Sequence, residues 1–118
     1  MKRKDTLFIQ DILQAICDIE AFLEGMDFES FCKDEKTKSA VVWQIHKIGE
    51  ATKNISKLIR NQYKEVPWKY MARMRDKIAH FYFGIDYEIV WDVVNKKLPE
   101  VKLLIEKILK DLEKENAS

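Results

Sequence analysis

Apolar residues recur at helical spacing along most of this chain, and that period favours helices over strands. Ile9, Ile12, Leu13, Ile16, Ile19, Leu23 and Met26 predict a first helix from about Asp5 to Glu24, with Gly25 as its stop. Val41, Trp43, Ile45, Ile48, Ala51, Ile55, Leu58 and Ile59 predict a second from Asp34 to about Asn61, with Gly49 in its interior. Between them, Met26 to Glu35 reads as irregular, with Phe28 and Phe31 tucked against the helices. Pro67 disfavours helix at the residue before it, so Asn61 to Pro67 is a break and Pro67 suits the start of a third helix, Trp68 to His80. The aromatic run Phe81-Tyr82-Phe83 then ends in Gly84, where the chain turns. Asp86 reads as the N-cap of a fourth helix through Lys97, with Ile89, Val90, Val93 and Val94 inward. Pro99 breaks that helix and opens a fifth, patterned by Val101, Leu104, Ile105, Ile108, Leu109 and Leu112 to near Asn116.

No strand signal, internal repeat or linker interrupts these series. The expectation is an all-α fold, a single domain over residues 1–118, built as an antiparallel up-and-down bundle of about four to five helices. A chain of this length buries roughly two-thirds of its unfolded surface and needs no covalent staple. Three Gly and two Pro, with 47% hydrophobic and 35% charged residues, argue against disorder.

Cys17 falls in an apolar helical pattern; the pair Cys17 and Cys32 lacks metal-ligand spacing, and without a secretory signal a disulfide framework is not expected. The start, Met1-Lys2-Arg3-Lys4-Asp5, leads into an amphipathic helix rather than an apolar signal core. No apolar run approaches the ~20 residues of a membrane span. A cytoplasmic protein is the expectation. The net charge of +1 excludes attraction of nucleic acid by the whole surface, so any such contact needs a local basic patch.

Arg75-Asp76-Lys77-Ile78-Ala79-His80-Phe81-Tyr82 is the segment richest in chemistry. Arg offers a planar fork of donors suited to phosphate. His is the side chain whose proton is loose near neutral pH. Lys69, Arg73, Arg75 and Lys77 against Asp76 supply the local positive charge that the whole chain lacks. On a continuous helical wheel, Arg75 falls among Trp68, Met71, Ile78, Ala79 and Tyr82. An Arg in an apolar stripe is costly unless paired or given a ligand. His80, five residues on, falls about 140° around the axis, so one straight helix holds the two on different faces. Either the helix unwinds near His80 or a second subunit completes the pocket.

Each residue also has a blander reading. Arg75 can be an ion-paired residue, with Glu50 or an acid of the fourth helix; His80 can complement a helix C-terminus. Tyr82 can be a half-buried aromatic, and Lys69, Arg73 and Lys77 a solvated face. Glu50 either orients Arg75 or is an exposed helix carboxylate. His46 reads as a surface histidine, Trp43, Trp68 and Trp91 as core or dimer-interface anchors, and Lys107 to Lys114 as a solvated face.

Met74 through Asp86, followed by Val90-Trp91, resembles the HepT-like branch of the HEPN superfamily. Ile48-Gly49-Glu50-Ala51 and Asp11-Ile12-Leu13-Gln14-Ala15-Ile16 resemble it too, so the likeness covers essentially the whole chain. The resemblance implies a metal-independent endoribonuclease, the toxin half of a type VII toxin–antitoxin pair. It implies Arg75 and His80 as the catalytic pair, with Asp76 and Glu50 in support. It implies a homodimer in which both subunits face a shared cleft. It also implies an MntA-type nucleotidyltransferase antitoxin that modifies Tyr82 with AMP. Lys69, Arg73 and Lys77 are the candidate RNA contacts.

The chemistry is coherent without a metal or cofactor. RNA carries its own nucleophile, the 2′-OH. A His with pKa near ~6.5 can take that proton or protonate the leaving oxygen. Arg75 would stabilise charge on the phosphorane, and the expected product is a cyclic phosphate. His46 and His80 are the only imidazoles and lack a ligand set. Two other readings stay open in the sequence: a non-catalytic helical module that docks a nucleotidyltransferase or holds a nucleotide, and a purely structural dimerisation bundle.

Overall fold

Short polar side chains decide where the helices of this chain start and stop. A computed structural model describes residues 2–80 and 84–117, apart from the side chains of residues 2, 3, 80, 116 and 117. These residues form eight α-helical segments, of which α1 (Lys2–Leu23), α3 (Glu35–Lys53) and α8 (Leu98–Ala117) are long. The fold is all-α, with more helices than expected because short ones split the sequence-predicted elements.

The stretch read as irregular contains α2 (Phe28–Lys33). Asp27 and Ser30 start it with a capping box: the Ser30 N–H donates to Asp27 Oδ1 at 2.8 Å, and the Asp27 N–H donates to Ser30 Oγ at 3.0 Å. The Ser30 backbone N–H, and after it the Ser30 hydroxyl, hold the Asp27 carboxyl below its usual range. Asp34 accepts the Thr37 N–H at 2.9 Å and starts α3.

The second expected helix ends at Lys53 rather than near Asn61. Asn54 Nδ2 donates to the Glu50 carbonyl at 2.8 Å, and Ser56 Oγ accepts the Ile59 N–H at 3.3 Å to open α4 (Lys57–Gln62). Asp5 of α1 pins this break. Its buried carboxylate accepts the Ser56 N–H at 2.9 Å and the Ser56 hydroxyl at 2.7 Å.

The expected third helix is interrupted as well. It divides into α5 (Trp68–Ala72) and α6 (Met74–Ile78) at Arg73, whose φ of −107° and ψ of 14° are not helical. The chain then becomes extended: β1 (Ala79–His80) pairs antiparallel with β2 (Gly84–Ile85), Ala79 opposite Ile85 and His80 opposite Gly84. Alternation over two residues is too short to register in a sequence pattern. Gly84 takes φ +80°, the left-handed region that glycine enters without strain. The Asp86 N–H closes the base of the ladder on the Ile78 carbonyl at 2.7 Å.

Asp86 caps α7 (Tyr87–Asp92) as expected, accepting the Glu88 and Ile89 N–H groups at 3.0 and 3.2 Å. Pro99, by contrast, breaks nothing. Val93–Lys97 form a π-helical turn in which the Leu98 N–H reaches the Val93 carbonyl, and helix continues into α8. The widened turn accommodates a proline that has no N–H to give.

α1 packs against α3 and α8, and α3 also packs against α5 and α6. Ile9, Ile12, Ile16 and Ile19 of α1 meet a core that includes Val41, Ile45, Ile48, Val101, Ile105 and Ile108. Trp68 lies in this core, its indole N–H donating to the Tyr63 carbonyl at 3.0 Å. Gly49 brings α3 close to the end of α5, where a Cβ would stand 3.4 Å from the Ala72 oxygen. No helix among the described residues is long and apolar enough to cross a membrane.

Candidate functional site

Arg75 faces outward. The inward positions of α5 and α6 belong to Met71, Met74 and Ile78, all fully buried, so the apolar centre lies away from the guanidinium. Ala79, which the continuous wheel counted as apolar stripe, is exposed because α6 has already ended. The guanidinium makes no hydrogen bond or ion pair among the described residues. Glu50 does not pair with it; Glu50 reaches Lys53 at 3.1 Å on the surface of α3. Asp76 is exposed on α6.

Arg75 and His80 do not share one helix. α6 stops at Ile78, and the His80 backbone lies in β1. The helix unwinds before His80, the first of the two solutions that the sequence allowed. The His80 side chain lies outside the described residues, as does Tyr82.

Arg75 borders a cavity of about 340 Å³ with Ser39, Val42, Trp43, His46 and Tyr87. Ser39, Val42, Trp43 and His46 form one stripe of α3, at the i, i+3, i+4, i+7 spacing of a helix face. Val41, Ile45 and Ile48 are buried on the other side and fix the rotation of that helix. Trp43 is 60% exposed and therefore not a core residue. Its ring lies 5.6 Å from that of His46, tilted by 32°. Tyr87 is held edge-on by Phe31, at 6.1 Å and 69°, and its ring lies 4.5 Å beneath the Lys38 ammonium. Lys38 in turn pairs with Glu35 at 2.8 Å, a contact that holds its ammonium above the usual lysine range. Phe31 also packs on Trp91 at 5.3 Å, tying α2 to α7 behind the cavity. The aromatic wall is thus anchored from both ends.

The basic residues do not form one patch. Lys69, Arg73 and Lys77 surround Tyr70 in a separate cavity of about 240 Å³. Lys97 joins them, its ammonium 4.9 Å from the Tyr70 ring centre. Burial pushes the Tyr70 phenol up. Sequence reasoning missed Lys97, and it missed Ser39, Trp43, His46 and Tyr87 as a cavity lining. The Ser39-to-His46 stripe was the available signal for the α3 part of that lining. Among the described residues, no three His, Cys, Asp or Glu side chains gather in a way that could hold a metal ion.

The family pattern described as Ribonuclease HepT-like matches residues 12–108. The chain belongs to the HepT-like ribonuclease family. The matched region includes both Ile48-Gly49-Glu50-Ala51 and Arg75 through Tyr82. HepT-like relatives cover nearly the full length. Two proteins of Methanocaldococcus jannaschii, each named a putative RNase, share 49% identity over 117 residues (98% of this chain, 97% of the relative) and 46% over 112 (95% and 97%). The probable ribonuclease HepT of Thermococcus cleftensis shares 43% over 110 residues, covering 93% of this chain and all of the relative. No solved structure matches this HepT-like chain.

Proposed function

We propose that this chain is a metal-independent endoribonuclease, the toxin of a type VII toxin–antitoxin pair. The observation that carries the reading is the guanidinium of Arg75, without a partner among the described residues, at the rim of an aromatic cavity in a chain of the HepT-like ribonuclease family. Arg75 binds the scissile phosphate and stabilises the charge that grows on its non-bridging oxygens. The 2′-oxygen attacks phosphorus as its proton leaves; the P–O5′ bond breaks, and the leaving oxygen takes a proton. His80 serves as the acid/base for these transfers. The products are a 2′,3′-cyclic phosphate and a free 5′-hydroxyl. The active form is a homodimer with both motifs facing a shared cleft.

Tyr82, two residues after His80, is the control point. An MntA-type nucleotidyltransferase adds AMP to its hydroxyl, and the bulky anion repels the incoming RNA phosphate. Lys69, Arg73 and Lys77 hold the backbone.

Incubating the purified protein with total RNA in chelator tests this reading. Wild type should release fragments with cyclic-phosphate ends, and Arg75→Ala and His80→Ala should release none while keeping the helical circular-dichroism spectrum. Full cleavage by His80→Ala removes the catalytic assignment. Co-expression with the cognate transferase should place an AMP adduct on Tyr82 and silence cleavage; an unmodified Tyr82 in silenced protein removes the control mechanism.

A further inference from the structure

We infer that Trp43, with His46 and Tyr87, forms a nucleobase subsite beside Arg75, so that the cavity takes one unstacked nucleotide of single-stranded RNA. The inference rests on the ribonuclease reading for the identity of its ligand, and on the cavity itself for its geometry.

Trp43 is the starting point. Its side chain is 60% exposed and lines the cavity that Arg75 borders. The His46 ring lies 5.6 Å from it, tilted by 32°. The two rings make a preformed aromatic surface on α3, which matches what an unstacked base needs. Tyr87 stands in the same cavity and is immobilised by Phe31 and by the Lys38 ammonium over its ring. Ser39, one helical turn before Trp43, lines the cavity too and adds a hydroxyl able to donate or accept. At about 340 Å³ the space lies at the small end of ligand cavities, the size for one nucleotide rather than a helix of a partner protein.

Charge selects the ligand class. Among the described residues, Arg75 carries the one formal charge on the lining, and it has no partner there. A partner protein burying this face would leave the guanidinium to be desolvated without compensation unless it brought its own acid. A nucleotide satisfies both halves at once: its base covers the aromatic wall, and its phosphate meets the guanidinium. Trp68 is committed to the core, and Trp43 is the tryptophan the fold leaves open. Because bases in a duplex are already stacked, the subsite also predicts a preference for single strands.

The test measures binding of a short single-stranded RNA to full-length protein carrying His80→Ala, by fluorescence polarisation at fixed salt. In that background Trp43→Ala should weaken binding by roughly 5- to 100-fold, the effect of removing one stacking platform. Trp43→Phe should stay within about threefold of the parent, since a phenyl ring still offers a face. The same RNA annealed to its complement should bind the parent and Trp43→Ala alike. Equal single-strand affinity for the parent and Trp43→Ala overturns the subsite. Sedimentation of the same variants reads the competing outcome: loss of self-association in Trp43→Ala with RNA affinity unchanged makes this face a protein interface and also overturns it. The ribonuclease reading fails separately. A Trp43-dependent affinity in a protein that cleaves no RNA keeps the subsite and removes the nuclease; cleavage by Trp43→Ala at the wild-type kcat/KM keeps the nuclease and removes the subsite.

Discussion

Gly49 of α3 and Ala72 at the end of α5 approach so closely that a Cβ on Gly49 would stand 3.4 Å from the Ala72 carbonyl oxygen and 3.5 Å from that of Met71. This contact sets the distance between the helix that carries Trp43 and the segment that leads into Arg75. The separations are those of ordinary van der Waals contact, so a methyl group fits without displacement. Alanine also gains up to ~1 kcal/mol of helix propensity over glycine. Gly49→Ala should therefore leave the unfolding free energy from urea titration within about 1 kcal/mol of wild type. Gly49→Leu cannot fit against backbone and should destabilise by about 1–3 kcal/mol. It should also move α5 and weaken RNA cleavage at temperatures where the protein remains folded.

The long helices were legible because burial is periodic: Ile9, Ile12, Ile16 and Ile19 each repeat the face they bury. What the periodicity hid were interruptions. Ser56 and Asn54 break a helix whose apolar pattern runs on through Ile55, Leu58 and Ile59, because their side chains satisfy backbone groups locally. Pro99 looked like a break and is none, because a π turn precedes it. Arg75 and His80 stood out by residue type alone. Trp43 did not, since a tryptophan on an amphipathic helix reads as core until the exposed face is seen.

Asp5 and Ser56 join the first turn of α1 to the start of α4 through two hydrogen bonds, at 2.9 and 2.7 Å. A buried carboxylate that accepts both a backbone N–H and a hydroxyl contributes more than a surface contact. Asp5→Ala should destabilise by about 2–3 kcal/mol, and Ser56→Ala by less, because the backbone donor survives. In a double-mutant cycle the pair should show coupling on the order of 1 kcal/mol. Additive losses would mean that the two residues act independently.

Tyr63 donates its hydroxyl to Asp111 at 2.8 Å, binding the end of α4 to α8. Burial, and then the neighbouring carboxylate, push its phenol up to about 12. An unfolded tyrosine ionises near ~10. The folded state thus favours the neutral phenol, and the stability it adds is fully present below pH ~10 and is lost as pH rises toward 12. The loss should be on the order of 1–2 kcal/mol. Urea midpoints measured from pH 8 to 11.5 should fall more steeply for wild type than for Tyr63→Phe, with the two curves converging at the alkaline end. Parallel curves would show that Tyr63 carries no such linkage.

Arg75 and the cluster of Lys69, Arg73 and Lys77 border different cavities, and salt dependence separates their roles. A lysine that holds RNA only through its phosphates contributes counterion release, so each one lost should flatten the plot of log affinity against log salt by roughly 0.7 on single strands. Removing Lys69 and Lys77 together should flatten it by about twice that. It should weaken binding similarly for every RNA sequence, and leave the cleavage rate at saturating RNA close to wild type. Arg75→Lys keeps the charge, so its salt slope should match wild type. A lysine cannot present the planar fork, and the saturated cleavage rate should fall by about 10-fold or more. A slope change in Arg75→Lys with an unchanged saturated rate would assign Arg75 to backbone docking and leave the transition-state charge to another group.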